Sequence, residues 1–188
     1  MMRGLRWLAC LGVFALMAGC ATPQRIGGTE PAFDRVGRFA VTVKSFDAPV
    51  RAAQGGFAWH DTGAVLRLDL LSPMGNVLAR VRVEPGHAEL VRSNGERQSA
   101  SNPDALLAQV WGHAVPVAGL RAWIQGRARP GTPESSIVRD AQGHIASIRR
   151  DGWDVALSDY DALGPTRVRL SRQDPQASVR LQLVISEG

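Results

Sequence analysis

The side chains that could carry out acid–base or metal chemistry are scattered along this 188-residue chain. Asp159 and Asp161 are two residues apart, so a strand would turn both carboxylates to one face, where a general acid and a general base could pair. An exposed strand end explains the same two residues more simply. The histidines show no metal-ligand spacing, because they stand far apart at His60, His87, His113 and His144.

No nucleophile or phosphate-binding motif accompanies these groups. The chain has neither a Gly-x-Ser-x-Gly elbow nor a Gly-Lys-[Ser/Thr] loop, so neither a hydrolase site of that type nor nucleotide hydrolysis is predicted. His60 and Asp61 adjoin, but a pair that follows Trp59 fits a strand end better than a catalytic dyad. The sequence therefore argues against an enzyme, and we predict no cofactor and no metal site.

The residue with the clearest chemistry is Cys20. It follows Arg3, Arg6 and an apolar run at 7–18. A helix of that length covers about 18 Å, which is too short for a hydrocarbon core of ~30 Å. Residues 1–19 are therefore predicted to be a secretory signal peptide.

The end of this signal, Leu-Met-Ala-Gly-Cys at 16–20, resembles the lipobox of bacterial lipoproteins. The resemblance implies cleavage before Cys20 and acylation of that cysteine. Cys10 would leave with the signal, so Cys20 would have no disulfide partner in the mature chain. Ala21 stands where an Asp would tend to hold a lipoprotein at the inner membrane. The predicted location is the outer membrane, with the protein anchored at Cys20 and facing the periplasm.

The basic charge does not indicate a nucleic-acid partner. The formal net charge is +5, and loss of Arg3 and Arg6 with the signal lowers it by two, to +3. The remaining basic residues are arginines spread along the chain, with Lys44 as the one lysine, rather than a basic stripe. We expect no nucleic-acid binding, and we expect a monomer.

Alternating apolar and polar residues dominate the chain after its N-terminal part. Residues 20–34 are predicted to be a lipidated N-terminus and flexible tether, and residues 35–188 a single domain. The alternation covers 39–43, 66–70, 77–84 and 179–185, which predicts strands with one buried face and one wet face. Tight antiparallel turns are predicted at 85–86, 94–95, 142–143 and 151–152.

Two short helices are predicted to interrupt the strands. Asn102 is a candidate N-cap before Pro103, and apolar residues at helical spacing follow as far as Gly112. A second helix is predicted over 117–125, with Gly126 as its C-terminal glycine. The predicted fold is mainly β, with the helices packed on the apolar face of one curved sheet.

Apolar side chains stand in two places that need explanation. Pro73 and Gly75 are turn formers, so Met74 is predicted at the tip of a surface turn, where a polar residue would cost nothing. Four tryptophans remain after cleavage of the signal. Each alone fits an ordinary core, but together they could line an apolar pocket between the sheet and the helices: Trp59, Trp111, Trp123 and Trp153.

A series of short motifs resembles the LolB family of outer-membrane lipoproteins over roughly residues 36–185. The most specific are Ser-Pro-Met-Gly at 72–75 and Leu-Arg-Ala-Trp-Ile-Gln-Gly at 120–126. Two departures are a short segment before Gly37 and the absence of a late tryptophan. The other matching segments are Arg-Phe-Ala-Val at 38–41, Gly-Phe-Ala-Trp at 56–59, Leu-Leu at 70–71 and 106–107, Val-Pro-Val at 115–117 and Asp-Gly-Trp at 151–153.

The resemblance implies an unclosed antiparallel β-barrel, a half-barrel, with a helical plug over a hydrophobic cavity. Its implied function is to accept acylated lipoproteins from the periplasmic carrier LolA and to insert them into the inner leaflet of the outer membrane without a nucleotide. The implied membrane-insertion loop consists of Pro73, Met74 and Gly75. Candidates for the acyl-chain cavity are Phe39, Val41, Phe57, Trp59, Leu66, Leu68, Leu70, Trp111, Trp123 and Trp153.

Two other functions stay open at the level of sequence. A structural outer-membrane lipoprotein that scaffolds an envelope assembly machine would share the signal, the anchor and a β-domain, but its sheet interior would be filled. A lipid-modifying hydrolase would need a nucleophile, for which Ser45, Ser72 and Ser158 are the residues to test. No motif supports the hydrolase.

Overall fold

A computed structural model describes residues 32–111 and 115–186, and of Trp111 it describes only the backbone. The predicted signal peptide, the lipidation site Cys20 and nearly all of the predicted tether lie outside these residues, as do Gly112 and His113. None of the helices within 32–111 and 115–186 is long and apolar enough to cross a bilayer.

The described chain forms one eleven-stranded antiparallel sheet with a helical insertion between its sixth and seventh strands. The elements are β1 (Phe33–Ser45), β2 (Arg51–Asp61), β3 (Leu66–Leu71), β4 (Val77–Glu84), β5 (His87–Arg92), β6 (Arg97–Ala100), α1 (Pro103–Trp111), α2 (Val117–Trp123), the 3-10 helix η1 (Glu134–Ser136), β7 (Ile137–Arg139), β8 (Ile145–Arg150), β9 (Trp153–Asp161), β10 (Gly164–Gln173) and β11 (Ala177–Ile185).

The sheet is a meander that does not close. Its spatial order is β6-β5-β4-β3-β2-β1-β11-β10-β9-β8-β7, so the first and last strands meet in the middle and pair from Gly37↔Ile185 to Ser45↔Ala177. The two edges, β6 and β7, are joined in sequence by α1, α2 and η1 rather than by hydrogen bonds. This arrangement confirms the predicted mainly β fold, an open half-barrel with inserted helices.

Every predicted tight turn joins two consecutive strands. The turns at 85–86, 94–95, 142–143 and 151–152 connect β4 to β5, β5 to β6, β7 to β8 and β8 to β9. Asp151 and Gly152 both have positive φ, 53° and 78°, which is the conformation of a two-residue hairpin turn whose twist matches the strands.

One face of the sheet is apolar along all its central strands, because the alternation in sequence turns every second side chain inward. Val41 and Val43 of β1 face the same way as Leu181 of β11, Leu170 of β10 and Val155 of β9, which the pairing places side by side. Arginines alternate with these residues on the opposite, wet face. The strand predictions from sequence are confirmed, and so are the buried faces except at Val77, which is 42% exposed where the β3–β4 register shifts.

Both helices begin and end for identifiable reasons. The side-chain oxygen of Asn102 accepts a hydrogen bond from the backbone N–H of Ala105 at 2.8 Å, which confirms the predicted N-cap of α1. The α2 helix ends at Trp123, two residues before the predicted end. Gly126 there adopts φ +68°, and the N–H of Arg127 donates to the carbonyl of Ala122 at 3.0 Å, so the chain leaves the helix through a glycine C-cap as predicted.

The sheet has two ends, which we name the upper rim and the lower rim. At the upper rim β1 and β3 end, β2 and β4 begin, and the turns 46–50 and 72–76 connect them. The lower rim carries the turns 62–65, 85–86 and 162–163. The α1 helix ends near the upper rim, where the Arg51 guanidinium donates to the carbonyl of Val110 at 3.5 Å. The α2 helix lies near the lower rim, where the N–H of Ala118 donates to Asp104 at the start of α1 and Arg121 binds Asp61.

The first strand starts earlier than the sequence predicts. β1 begins at Phe33, inside the last two residues of the predicted tether, and Phe33 pairs with Asp61 at the lower rim. The polar residues Asp34 and Arg35 hide the alternation at this point. The Arg35 side chain nevertheless points inward, where it forms an ion pair with Asp161 at the lower rim.

Candidate functional site

An apolar cavity of about 100 Å³ lies between the inner face of the sheet and the two helices. Its floor comes from β1, β2, β3, β4 and β11, and its roof comes from α1, α2 and the segment between them. The lining residues are Phe39, Val41, Phe57, Trp59, Leu68, Leu70, Val81, Leu107, Val115, Val117, Leu120, Leu181 and Leu183. No charged residue is among them.

The structure brings six of the ten predicted cavity residues together around this space. Phe39 and Val41 come from β1, Phe57 and Trp59 from β2, and Leu68 and Leu70 from β3. They share a face because the register places Leu70 beside Phe57 and Leu68 beside Trp59. The inner face of the sheet is therefore the one that carries these six side chains.

The other predicted cavity residues lie elsewhere. Leu66 is on the same face but borders a separate, more polar cleft of about 970 Å³ at the lower rim. Trp123 and Trp153 are buried in the core, and neither borders this cavity. Trp123 lies back over its own helix, so that a Cβ added at Gly119 would come within 2.4 Å of its ring. The Trp111 side chain is outside the described part of the structure.

Seven lining residues were not identified from the sequence. Their signal was present in part, because the alternation in β4 and β11 marks Val81, Leu181 and Leu183 as inward-facing. What the pattern did not contain was the pairing of β1 with β11, which joins residues at opposite ends of the chain. The roof residues, Leu107 and Leu120 among them, required the helix placement.

Two glycines make room for the aromatic side chains of the floor. Gly37 lies across from Phe57, and Gly55 lies across from Phe39. A Cβ at Gly37 would come within 2.3 Å of the Val184 carbonyl oxygen and 2.9 Å of the Phe57 ring. Larger residues at these two positions would therefore push strands or rings apart and deform the cavity floor.

The cavity opens on the side of Phe39, Leu68 and Leu70, which are half-buried, while Phe57 and Trp59 deeper in the sheet are buried. Leu70 lies two residues before Ser72, where the 72–76 turn of the upper rim begins. A cavity of about 150 Å³ accommodates one benzene molecule. The space present here is smaller than a single long acyl chain, so a chain could enter only if the roof moved.

The 72–76 turn holds Met74 away from the rest of the protein. The backbone N–H of Ser72 donates to the Asn76 carbonyl at 2.8 Å, and the N–H of Gly75 donates to the Ser72 carbonyl at 2.9 Å. Gly75 has φ +87°, a conformation that other residues adopt only with strain. The turn is therefore well defined, and its tip residue Met74 is 90% exposed.

Ion pairs hold the elements of the lower rim together. Both carboxylate oxygens of buried Asp61 accept hydrogen bonds from the Arg121 guanidinium of α2, at 2.6 and 2.5 Å, and Arg121 also donates to the Gly63 carbonyl at 2.6 Å. The hydrogen bonds that Arg121 donates to Asp61 raise the pKa of Arg121 above its usual value. These contacts fasten the C-terminal part of α2 to the β2–β3 turn.

A second bidentate pair lies at the same rim. The Arg35 side chain, 1% exposed, donates to Asp161 at 2.6 and 2.8 Å and so joins β1 to the β9–β10 turn. The Arg35 hydrogen bond, with further bonds from the N–H groups of Leu163 and Gly164, lowers the pKa of Asp161 to about 2. Arg35 is thus buried because it has a partner across the barrel interior.

The candidate acid–base groups from the sequence are engaged in separate contacts. Asp159 has φ +55° and binds Arg167 at 2.5 Å on the surface, whereas Asp161 binds Arg35, so the two carboxylates do not face each other. His60 contacts Asp34 at 2.5 Å rather than its neighbour Asp61. Among residues 32–111 and 115–186, no group of three His, Cys, Asp or Glu side chains could hold a metal ion.

Comparison with known proteins gives one consistent result. The family model described as "Outer membrane lipoprotein LolB" matches residues 31–187. A protein named "Outer-membrane lipoprotein LolB" from Bordetella pertussis is 45% identical over 188 residues, which cover 97% of this chain and 94% of that protein. One of the same name from Cupriavidus pinatubonensis is 36% identical over 192 residues, covering 95% of this chain and 92% of that protein.

Proposed function

The chain belongs to the LolB family of outer-membrane lipoproteins, and from this premise we propose that it accepts acylated lipoproteins from the periplasmic carrier LolA and inserts them into the inner leaflet of the outer membrane. The observation that carries the proposal is the uncharged cavity, whose open side adjoins a rigid turn with an exposed methionine. The cavity would hold the acyl chains of the cargo, and the turn with Met74 would contact the lipid bilayer.

The chemistry of the lining fits acyl chains and little else. Burial of a methylene group is worth about 0.8 kcal/mol, so a chain of roughly fifteen methylenes gains about 12 kcal/mol on leaving water. The cavity offers aliphatic and aromatic side chains without a charged group that would have to be desolvated. Transfer without a nucleotide then requires only that each successive acceptor bind the chains more favourably than its donor.

Loading requires the helical roof to move, because about 100 Å³ is available. Val117 and Leu120 of α2 contribute to the roof, while Arg121 holds the same helix to Asp61 at the lower rim. We infer that α2 swings about this fixed point and lifts away from Phe39, Leu68 and Leu70. The acyl chains would then occupy the volume that the roof residues vacate.

The role of Met74 follows from its exposure. A methionine side chain gains about 1.5–3 kcal/mol when it leaves water, which is enough to favour contact with a bilayer but too little to fix the domain there. The 72–76 turn adjoins the open side of the cavity through Leu70, so a bilayer that receives Met74 lies next to the leaving acyl chains. Pro73 and Gly75 would serve to present the methionine.

Photo-crosslinking of the full-length lipidated protein in liposomes tests the cavity. A photoreactive phenylalanine at position 39 replaces one aromatic ring by another on the inner face, and the same group at Arg38 lies on the outer face as the matched control. After addition of a LolA–lipoprotein complex, we expect cargo crosslinks from position 39 and not from position 38. Equal or absent crosslinking at both positions would contradict the proposal, and absence would favour a scaffold with a filled interior.

A further inference from the structure

The upper rim carries a second exposed apolar tip, which the proposed role of Met74 does not use. Phe46 in the turn 46–50 is 94% exposed and Val50 is 60% exposed. The side chains that surround the base of this turn are already packed, since Val43 is 1% exposed and Ala177 is 7% exposed. Phe46 therefore has no core to join in this structure.

The turn that carries Phe46 is held in place. The backbone N–H of Phe46 donates to the carbonyl of Gln176 at 3.0 Å, which ties the turn to the neighbouring β10–β11 connection. Pro49 fixes one further backbone dihedral inside the turn. A pinned turn presents its aromatic ring to solvent at a constant place, so the exposed ring is not explained by a freely moving loop.

Antiparallel pairing puts both apolar tips at the same rim but at different heights. The last residue of β3, Leu71, pairs with Gly56, so β2 extends upward from Gly56 to Arg51 beyond the end of β3. At about 3.3 Å per residue, the β1–β2 hairpin projects roughly 17 Å further along the strands than the 72–76 turn. Phe46 and Met74 are therefore two separate exposed apolar sites rather than one continuous patch.

We propose that Phe46 and Val50 form a second contact with the phospholipid bilayer, which together with Met74 sets the tilt of the domain on the membrane. This inference rests on the proposed function. With a single apolar contact, the domain could rotate freely about that contact on the membrane. Two contacts restrict this rotation, so the open side of the cavity would stay facing the lipid. The expected effect of the second contact is on the rate of delivery more than on cargo binding.

Charge and reach favour a bilayer as the surface that receives Phe46. Lys44 and Arg180 are exposed on the outer face close to the hairpin, where long basic side chains can reach anionic headgroups, and these two positive charges outnumber exposed Asp47, the one acidic residue of the turn 46–50. The thirteen residue steps from Cys20 to Phe33 span at most about 47 Å, and β1, with 13 residues, covers about 43 Å. A chain anchored at Cys20 can therefore bring the Phe46 tip to the membrane surface that holds the anchor.

A polarity-sensitive fluorophore tests this contact in the full-length lipidated protein, in vesicles of phosphatidylethanolamine and phosphatidylglycerol. Cys20 is expected to be acylated, so a single introduced cysteine can be labelled. The variants are Phe46→Cys, Met74→Cys and Leu163→Cys, the last at an apolar residue of the lower rim that is 48% exposed. We expect a blue-shifted emission and quenching by brominated lipid at positions 46 and 74, and neither at 163.

The remaining results separate this inference from the proposed function. A water-like emission at 46 with a lipid-like emission at 74 would overturn the second contact and leave the function standing. A water-like emission at both positions would count against membrane insertion as a whole. A shift at 46 that needs the LolA–cargo complex and resists brominated lipid would assign the tip to the carrier and overturn the inference.

A transfer assay supplies the functional readout. Phe46→Glu should slow the deposition of cargo by about three- to tenfold, because the domain loses one of two apolar contacts. Phe46→Leu and Leu163→Glu should both transfer at the rate of the unmodified protein. Equal rates for Phe46→Glu and Phe46→Leu would contradict the inference.

Discussion

The two rims of the sheet are built from opposite chemistry. At the lower rim Arg35 and Arg121 are each bound to a carboxylate through two hydrogen bonds, and these pairs join strands and a helix that are distant in sequence. At the upper rim Phe46 and Met74 project into solvent on turns that hydrogen bonds hold in shape. One rim is closed by paired charges, and the other exposes apolar surface beside an apolar cavity.

This difference indicates how one small domain can be both stable and able to load cargo. A bidentate charge pair keeps both of its hydrogen bonds only in one geometry, so the Arg121–Asp61 pair can hold one point of α2 at the lower rim while the rest of the roof moves. An apolar tip has no partner in the protein and gains free energy only where lipid is present. The comparison predicts that changes at the lower rim alter stability, whereas changes at the upper rim and the cavity alter transfer.

The largest effect on stability is expected from Arg35→Ala. The substitution removes the two hydrogen bonds that half-buried Asp161 accepts from the buried guanidinium, and we expect the free energy of unfolding to fall by about 2–3 kcal/mol. Denaturant unfolding at neutral pH measures this change. The matched control is Arg167→Ala, which breaks the exposed pair with Asp159 in the same hairpin and should cost at most about 1 kcal/mol. Equal losses of stability for both variants would contradict the claim that the Arg35–Asp161 pair stabilises the fold more than an exposed ion pair does.

Leu68→Glu should cause the largest loss of cargo binding. It places a carboxylate among the lining side chains beside Trp59 and Val81, at a cost of several kcal/mol on the scale of buried unpaired charge. Cargo captured from the LolA complex, measured by co-purification, should fall at least about tenfold. The control Arg67→Glu points outward and would face Arg82 across the strands, an opposite-charge pair, so it should bind cargo normally. Loss of binding in Arg67→Glu alone would reverse the assignment of faces.

A smaller effect is expected from pH. The folded-state pKa of Asp161, about 2, lies below the ordinary value of 3.8 for this group, so this carboxylate stabilises the fold above pH 4. The contribution, about 2 kcal/mol, disappears as the pH falls through 2. Asp161→Asn keeps an oxygen for the bonds from Leu163 and Gly164 but removes the charge. Unfolding curves of the two proteins should differ at pH 7 and converge near pH 2, and a constant difference across that range would contradict the assignment.

Much of this fold could be read from local patterns, because one-sided burial forces alternation. The turn glycines, the Asn102 cap and the inward residues of β1 to β3 were all identifiable, and so were six of the cavity residues. Met74 stood out for a physical reason, since a bare thioether between turn formers has no core to enter. These features depend on a few neighbouring residues and on nothing remote.

The features that sequence did not supply depend on contacts between distant parts of the chain. Arg35 is the first residue after the predicted tether, and its burial makes sense only with Asp161 across the barrel. Trp123 and Trp153 carry the same residue type as Trp59, yet only Trp59 borders the cavity, because helix and strand placement decides which ring faces empty space. Phe46 had no periodic pattern to mark it.

The most direct test of the account is cargo deposition by Met74→Glu and Met74→Leu, measured as the rate at which cargo moves from the LolA complex into floated liposomes that carry each full-length variant. Crosslinking through position 39 controls for cargo uptake. We predict normal uptake in both variants, an unchanged deposition rate for Met74→Leu, and a rate about tenfold lower for Met74→Glu. Equal deposition by Met74→Glu and the unmodified protein would contradict the claim that the upper rim delivers cargo through contact with lipid.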